Sequence, residues 1–241
     1  EHWWLPRTGA VVRTMISDDV VWLAHATARY LAATGDTSIL KEKLPFIDGQ
    51  ALTKGEHDAF FTPELSKKVV PLYEHCARAL DLAVKRSGPN GLPLFLGGDW
   101  NDGMNRVGEN GRGESVWLGW FLLATLRDFG AVAKAEGDAA RAQAWEKHAA
   151  ALKRALEATA WDGEWYRRGS YDDGTPLGSR NSEECKIDSI AQSWSVLSGE
   201  GDPARSRTAM GKAVDMLVDE EARIVKLFTP PFITTDKDPG Y

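Results

Sequence analysis

Residues Val116 to Ala124 form a nine-residue run without a charge. A helix made of these residues is apolar on every face, so it is stable only when other elements surround it. The rest of the chain must therefore wrap this segment. The 241 residues and an apolar content of 43% are enough to do so within one domain.

Helix signals lie on both sides of that run. Ser17-Asp18-Asp19 can cap a helix with Val20, Leu23, Ala24, Thr27 and Leu31 at helical spacing, ending near Gly35. Asp36 to Lys43 reads as a short helical turn closed by Pro45. Thr62, followed by Pro63 at the first helical position, opens a predicted second helix with the stripe Leu65, Val69, Leu72, Cys76, Leu80 and Ala83, ended by Gly88-Pro89-Asn90-Gly91. The apolar helix starts near Ser115 and breaks at Gly137-Asp138. An amphipathic helix follows over 139–159, with Ala142, Trp145, Ala149, Leu152 and Leu156 on its dry face. Residues 161–184 read as a hairpin or long loop, 187–197 as a short helix, and 203–218 as the last helix. A buried helix followed by an amphipathic one is the alternation of a double-layered barrel of helical hairpins, so the expected class is all-α.

The net charge is −6, and no Lys/Arg-rich block is present, which argues against a nucleic-acid partner or a polybasic membrane surface. Cys76 and Cys185 are too few for a disulfide framework and lack metal-ligand spacing, so no metal is expected and a reducing compartment suits the chain. Ten Trp exceed eight Phe and five Tyr. Many indoles beside many carboxylates suit carbohydrate binding, and equally a Trp-rich core.

The segment Gly97-Gly98-Asp99-Trp100-Asn101-Asp102-Gly103-Met104-Asn105 concentrates two carboxylates, two amides and an indole between glycines. Carboxylates and amides hydrogen-bond sugar hydroxyls, an aromatic face covers sugar C–H surface, and a protonated carboxyl can donate to a glycosidic oxygen. The other reading is an Asx-rich turn, with or without a cation.

This loop resembles the catalytic loop of the glycoside phosphorylases of glycoside hydrolase family 94, which includes cellobiose and chitobiose phosphorylases. Its flanks, with Arg13 to Asp19 and Thr229-Pro230-Pro231-Phe232, most resemble the phosphorylase-type domain of cyclic β-1,2-glucan synthases. The resemblance covers nearly the whole chain. It implies an (α/α)6 barrel and inverting phosphorolysis of β-linked glucan, or synthesis from glucose 1-phosphate. Asp102 would be the general acid, and inorganic phosphate the co-substrate, with no other cofactor. Asp99, Trp100 and Asn101 would line the sugar site, together with Arg13. Thr14 stands where these phosphorylases often have Asp, so Asp18 or Asp19 is expected to substitute, and Gln192 is a further candidate ligand.

The family's phosphate-holding His and Thr-Gly pair lie downstream of the Pro-Pro-Phe segment and have no match here. Residues 1–241 are therefore expected to be a single catalytic-domain fragment, an incomplete barrel without its phosphate site. Its partners would be a β-glucan oligosaccharide, phosphate or glucose 1-phosphate, and either a second copy or the remainder of a larger polypeptide. The expected location is cytoplasmic, as a free protein or the cytoplasmic part of an inner-membrane one. The isolated chain is expected to release no glucose 1-phosphate.

Among other residues, Trp22, Trp117, Trp120 and Trp145 are expected in the core, and His2 near the sugar site. Asp188 and Trp194 are candidates for the cleft or for capping and packing. Glu183 or Glu184, if aimed at Asp102, would instead support an inverting hydrolase with carboxylates roughly 6.5–9.5 Å apart. A binding module without turnover is the non-enzymatic rival.

Overall fold

The computed structural model describes residues 2–53 and 55–240. Six helices organise it: α1 (Asp19–Thr34), α2 (Leu72–Lys85), α3 (Val116–Ala135), α4 (Ala139–Ala155), α5 (Ser189–Leu197) and α6 (Pro203–Leu217). α3 sits between α1 and α5, while α2 packs on α1, α4 on α3, and α6 on α5. Trp117, Trp120, Phe121 and Leu122 of α3 are enclosed, as its uncharged composition requires. By length and composition α3 could cross a membrane, but most of it is buried against its neighbours.

The ends of the helices follow from side-chain chemistry. Ser115 caps α3 by accepting from the Leu118 N–H at 3.1 Å. Asp138 does the same for α4, and Asp188 for α5. Gly35 closes α1 with φ of 70°, a left-handed turn that a glycine adopts without strain.

The expected all-α barrel is not what the chain forms. The described residues are 44% helical and 20% strand, the strands lying in five small sheets. β1 (Trp3–Leu5), β2 (Ala10–Thr14) and β4 (Asp58–Phe61) make one antiparallel sheet. β3 (Lys43–Asp48) pairs with β5 (Glu64–Pro71) in another. The predicted helix from Thr62 begins only at Leu72, because the β-branched pair Val69-Val70 extends into a strand that ladders onto β3. Leu65 and Val69 consequently face solvent, while Leu72, Cys76, Leu80 and Ala83 keep their buried stripe. Pro45, read as a stop, lies inside β3.

Short strands tie the helix entrances together. β6 (Glu114–Ser115) pairs with β7 (Gly169–Ser170), which pairs with β8 (Pro176–Leu177). β9 (Ile187–Asp188) pairs with β12 (Phe228–Thr229), and β10 (Val218–Asp219) with β11 (Ile224–Val225). Gly113 has no room for a side chain, since a Cβ there would lie 2.4 Å from the Val107 carbonyl and 2.9 Å from that of Ser170.

Candidate active site

The Asp/Asn-rich loop is held from two directions. The first anchor is the segment before α1. Ser17 donates twice to the Gly98 carbonyl, from its N–H at 2.8 Å and its hydroxyl at 3.0 Å. Gly97 N–H donates to Met15 at 3.1 Å. These bonds set Asp18 and Asp19 beside the loop.

The second anchor is a buried ionic cluster. Asp99 accepts from Arg168 at 2.5 and 2.7 Å and from the Ser115 hydroxyl at 2.6 Å. The other side of the same guanidinium meets Asp188 Oδ2 at 3.2 Å. Arg168 is fully enclosed, and its ring-facing side stacks on Phe95 at 4.9 Å. Burial alone would weaken its charge, but Asp99 and Asp188 hold it firmly protonated. Burial pushes the Asp188 carboxyl up to about 6 despite Arg168. Since Ser115 and Asp188 also cap α3 and α5, the loop is tied to two helix N-termini in the core.

Both readings of the loop are present in its geometry. Asn101 N–H donates to Asp99, and Gly103 N–H to Asn101, each at 3.1 Å, so two Asx turns shape the backbone. Gly98 adopts φ of 126°, which a side chain would resist. These turns lift Trp100 into solvent, 48% exposed, and leave the Asp102 side chain about one-third exposed.

Asp102 meets a partner from the opposite end of the chain. His2 Nε2 lies 3.1 Å from Asp102 Oδ2, and His2 Nδ1 lies 2.9 Å from Asp19 Oδ1. Beside the loop, a cavity of about 520 Å³ is bounded by Asn101, Gly103, Met104, Phe228, Phe232 and Asp238.

The expected site residues separate into groups. Asp18, Asp19, Asp99, Trp100, Asn101 and Asp102 gather on the loop and its first anchor. Asp18 is buried, with Oδ2 accepting from Trp22 Nε1–H at 2.8 Å and Oδ1 without a partner among the described residues. Arg13 is directed along the β-sheet, over the Phe61 ring at 4.9 Å and onto the carbonyls of Gly49 and Gln50. Gln192 lies away from the loop surface. Fully buried, it receives the Tyr166 N–H at 2.9 Å and donates to the Tyr166 and Asp188 carbonyls at 2.7 and 3.0 Å.

Other expectations are corrected here. Trp22 lies at the α1 surface, 40% exposed, because its N–H serves Asp18. Glu184 accepts from the backbone N–H groups of Ile233, Thr234 and Thr235, so it shapes the tail instead of aiming at Asp102. Asp172 has no forecast role, yet it accepts from the N–H groups of Asn110, Arg112 and Gly113 and fixes the far side of the loop region.

Burial raises the Asp18 carboxyl to about 6, the Asp99 and Asp19 charges adding to it and the Trp22 bond opposing it. Such a group favours the fold while protonated and loses that contribution as pH rises from its unfolded value of 3.8 through about 6. Asp18→Asn should therefore flatten the fall in Tm across that window and stabilise the protein by about 1–3 kcal/mol at neutral pH. Thermal melts of both proteins across the window check this.

An open carboxyl on a glycine-flanked loop, with an exposed indole and further carboxylates around it, is the equipment of a carbohydrate-active enzyme. The chain belongs to the glycosyl hydrolase 94 superfamily, whose catalytic-domain model matches residues 6–241. It is 65% identical over its full length to the cyclic beta-(1,2)-glucan synthase NdvB of Rhizobium meliloti, covering 8% of that protein. It is also 33% identical over 224 residues to the cellobionic acid phosphorylase of Neurospora crassa, which spans 93% of this chain and 26% of that one. A third relative is the N,N'-diacetylchitobiose phosphorylase of Vibrio furnissii, 28% identical over 232 residues, 95% of this chain and 26% of that enzyme. The chain thus spans about a quarter or less of these relatives.

Proposed function

We propose that this chain supplies the general acid, Asp102, for inverting phosphorolysis of a β-linked glucan, or the reverse synthesis from glucose 1-phosphate, carried out by the intact protein. The observation that carries this reading is the Asp102 carboxyl itself. It is restrained through one oxygen and partly open to solvent on an anchored loop, and its neighbours Asn101 and Gly103 line the cavity. Phosphate arrives as an anion, so one carboxyl suffices where hydrolysis would need a second to deprotonate water. The proton passes from Asp102 to the glycosidic oxygen as that oxygen leaves C1, while a phosphate oxygen bonds to C1 from the opposite face.

In this reading Trp100 offers a face to the sugar ring, and Asn101 and Asp19 offer hydrogen bonds to its hydroxyls, while buried Asp18 holds Trp22 from beneath. Asp99 and Gln192 act as supports from within the fold, and Arg13 is turned along the β-sheet. The similarity to a cyclic beta-(1,2)-glucan synthase supports β-1,2-glucan as the substrate class. The two buried free thiols and a phosphate-ester product fit a cytoplasmic location.

The full-length protein, given β-1,2-gluco-oligosaccharides and inorganic phosphate, should release α-glucose 1-phosphate in proportion to the phosphate supplied. Release of free glucose independent of phosphate would overturn the reading in favour of hydrolysis.

A further inference from the structure

His2 lies just before β1 and is fixed there, its N–H donating to the Val12 carbonyl at 2.8 Å. Its ring is 16% exposed and lies 5.1 Å from the Trp3 ring. The titratable groups that face it are Asp19 from α1, on Nδ1, and Asp102 from the loop, on Nε2. Its own strand adds only the Trp3 ring. On the Asp102 side the bond uses Oδ2, and Oδ1 has no partner among the described residues.

We propose that His2 is a positioning residue for Asp102, an imidazolium that holds Oδ2 and so makes Oδ1 the oxygen that carries the transferred proton. This rests on the phosphorolysis reading above. With both ring nitrogens protonated, Nδ1–H donates to Asp19 and Nε2–H to Asp102. The carboxyl cannot rotate freely, and its proton is confined to the oxygen left for the substrate. When the O–H bond on Oδ1 breaks and the new O–H forms on the departing sugar, Asp102 becomes a carboxylate. The imidazolium already lies against the negative charge that develops there. Before transfer, Asp19 balances the ring's charge, so the trio is neutral with Asp102 protonated. Burial of the ring favours loss of its proton, while its bond and charge pairing with Asp19 oppose that loss, and the charge of Asp102 joins them once its proton has left.

The test uses the full-length protein and glucose 1-phosphate release, recorded as kcat and KM across pH. His2→Ala should lower kcat by about 10- to 100-fold, a share of the roughly 10²–10⁴ that a general acid supplies, with KM little changed. His2→Gln keeps a donor for Oδ2 without a charge. It should recover part of kcat while shifting the alkaline limb, to which the imidazolium contributes. Asp19→Asn should move that limb to lower pH, because the ring then loses its proton more easily. An unmoved limb in all three variants, or a kcat that His2→Gln does not recover, marks the ring as merely structural and overturns the proposal. Wild-type kinetics in His2→Ala alongside a dead Asp102→Asn overturn it while leaving the function intact. An active Asp102→Asn overturns both.

Discussion

Asp102→Asn in the full-length protein is expected to lower turnover by roughly 10²–10⁴-fold while leaving oligosaccharide affinity nearly unchanged. The substitution preserves size and planarity, and the new amide oxygen can still accept from His2. What it removes is the exchangeable proton. The leaving sugar must then depart as an alkoxide, and that cost falls on the transition state and not on binding. The measurement is glucose 1-phosphate release beside calorimetric binding of the same oligosaccharide. Parallel loss of both would place Asp102 in recognition instead of proton transfer, and retained turnover would move the acid elsewhere.

Arg168→Met is expected to have the largest effect on stability. The side chain is fully enclosed and pairs with both Asp99 and Asp188. Removing one partner of a buried ionic cluster strands the others, at a cost of about 3–5 kcal/mol. In a protein of this size that corresponds to a fall in Tm of about 6–20 °C. Arg168→Lys, which keeps the charge but lacks the fork that reaches both carboxylates, should fall between the two. Thermal melts order the three proteins. A wild-type Tm in Arg168→Met would show that water or protonation relieves the cluster. Because Asp99 opens the Asp/Asn-rich loop, the same change should also displace Trp100 and raise KM for the oligosaccharide.

The long helices were legible because their signals are local. The uncharged run specified α3, Gly35 ended α1, and Asp202-Pro203 opened α6. The strands were not, because Val11-Val12 and Val69-Val70 acquire their conformation from partners that sequence spacing does not reveal. Leu65 and Val69 fitted a helical stripe by coincidence of spacing. The Asp/Asn-rich loop stood out through its composition and its resemblance to a family. Its supports were not, since Arg168 is one Arg among many in the sequence and becomes distinctive only when folding places it between two aspartates. His2 was expected near the sugar site through the resemblance, but its spacing does not name Asp102, one hundred positions away, as its partner. Gln192, read as a candidate ligand, is used by the fold to bridge backbone groups, which spacing alone does not reveal.

The trio around the acid joins positions 2, 19 and 102, and the cluster beneath it joins 99, 168 and 188. Contacts so distant along the chain form late, since each closes a long loop before it gains anything in return. The Asp/Asn-rich loop therefore acquires its guanidinium support only in the final stages of folding.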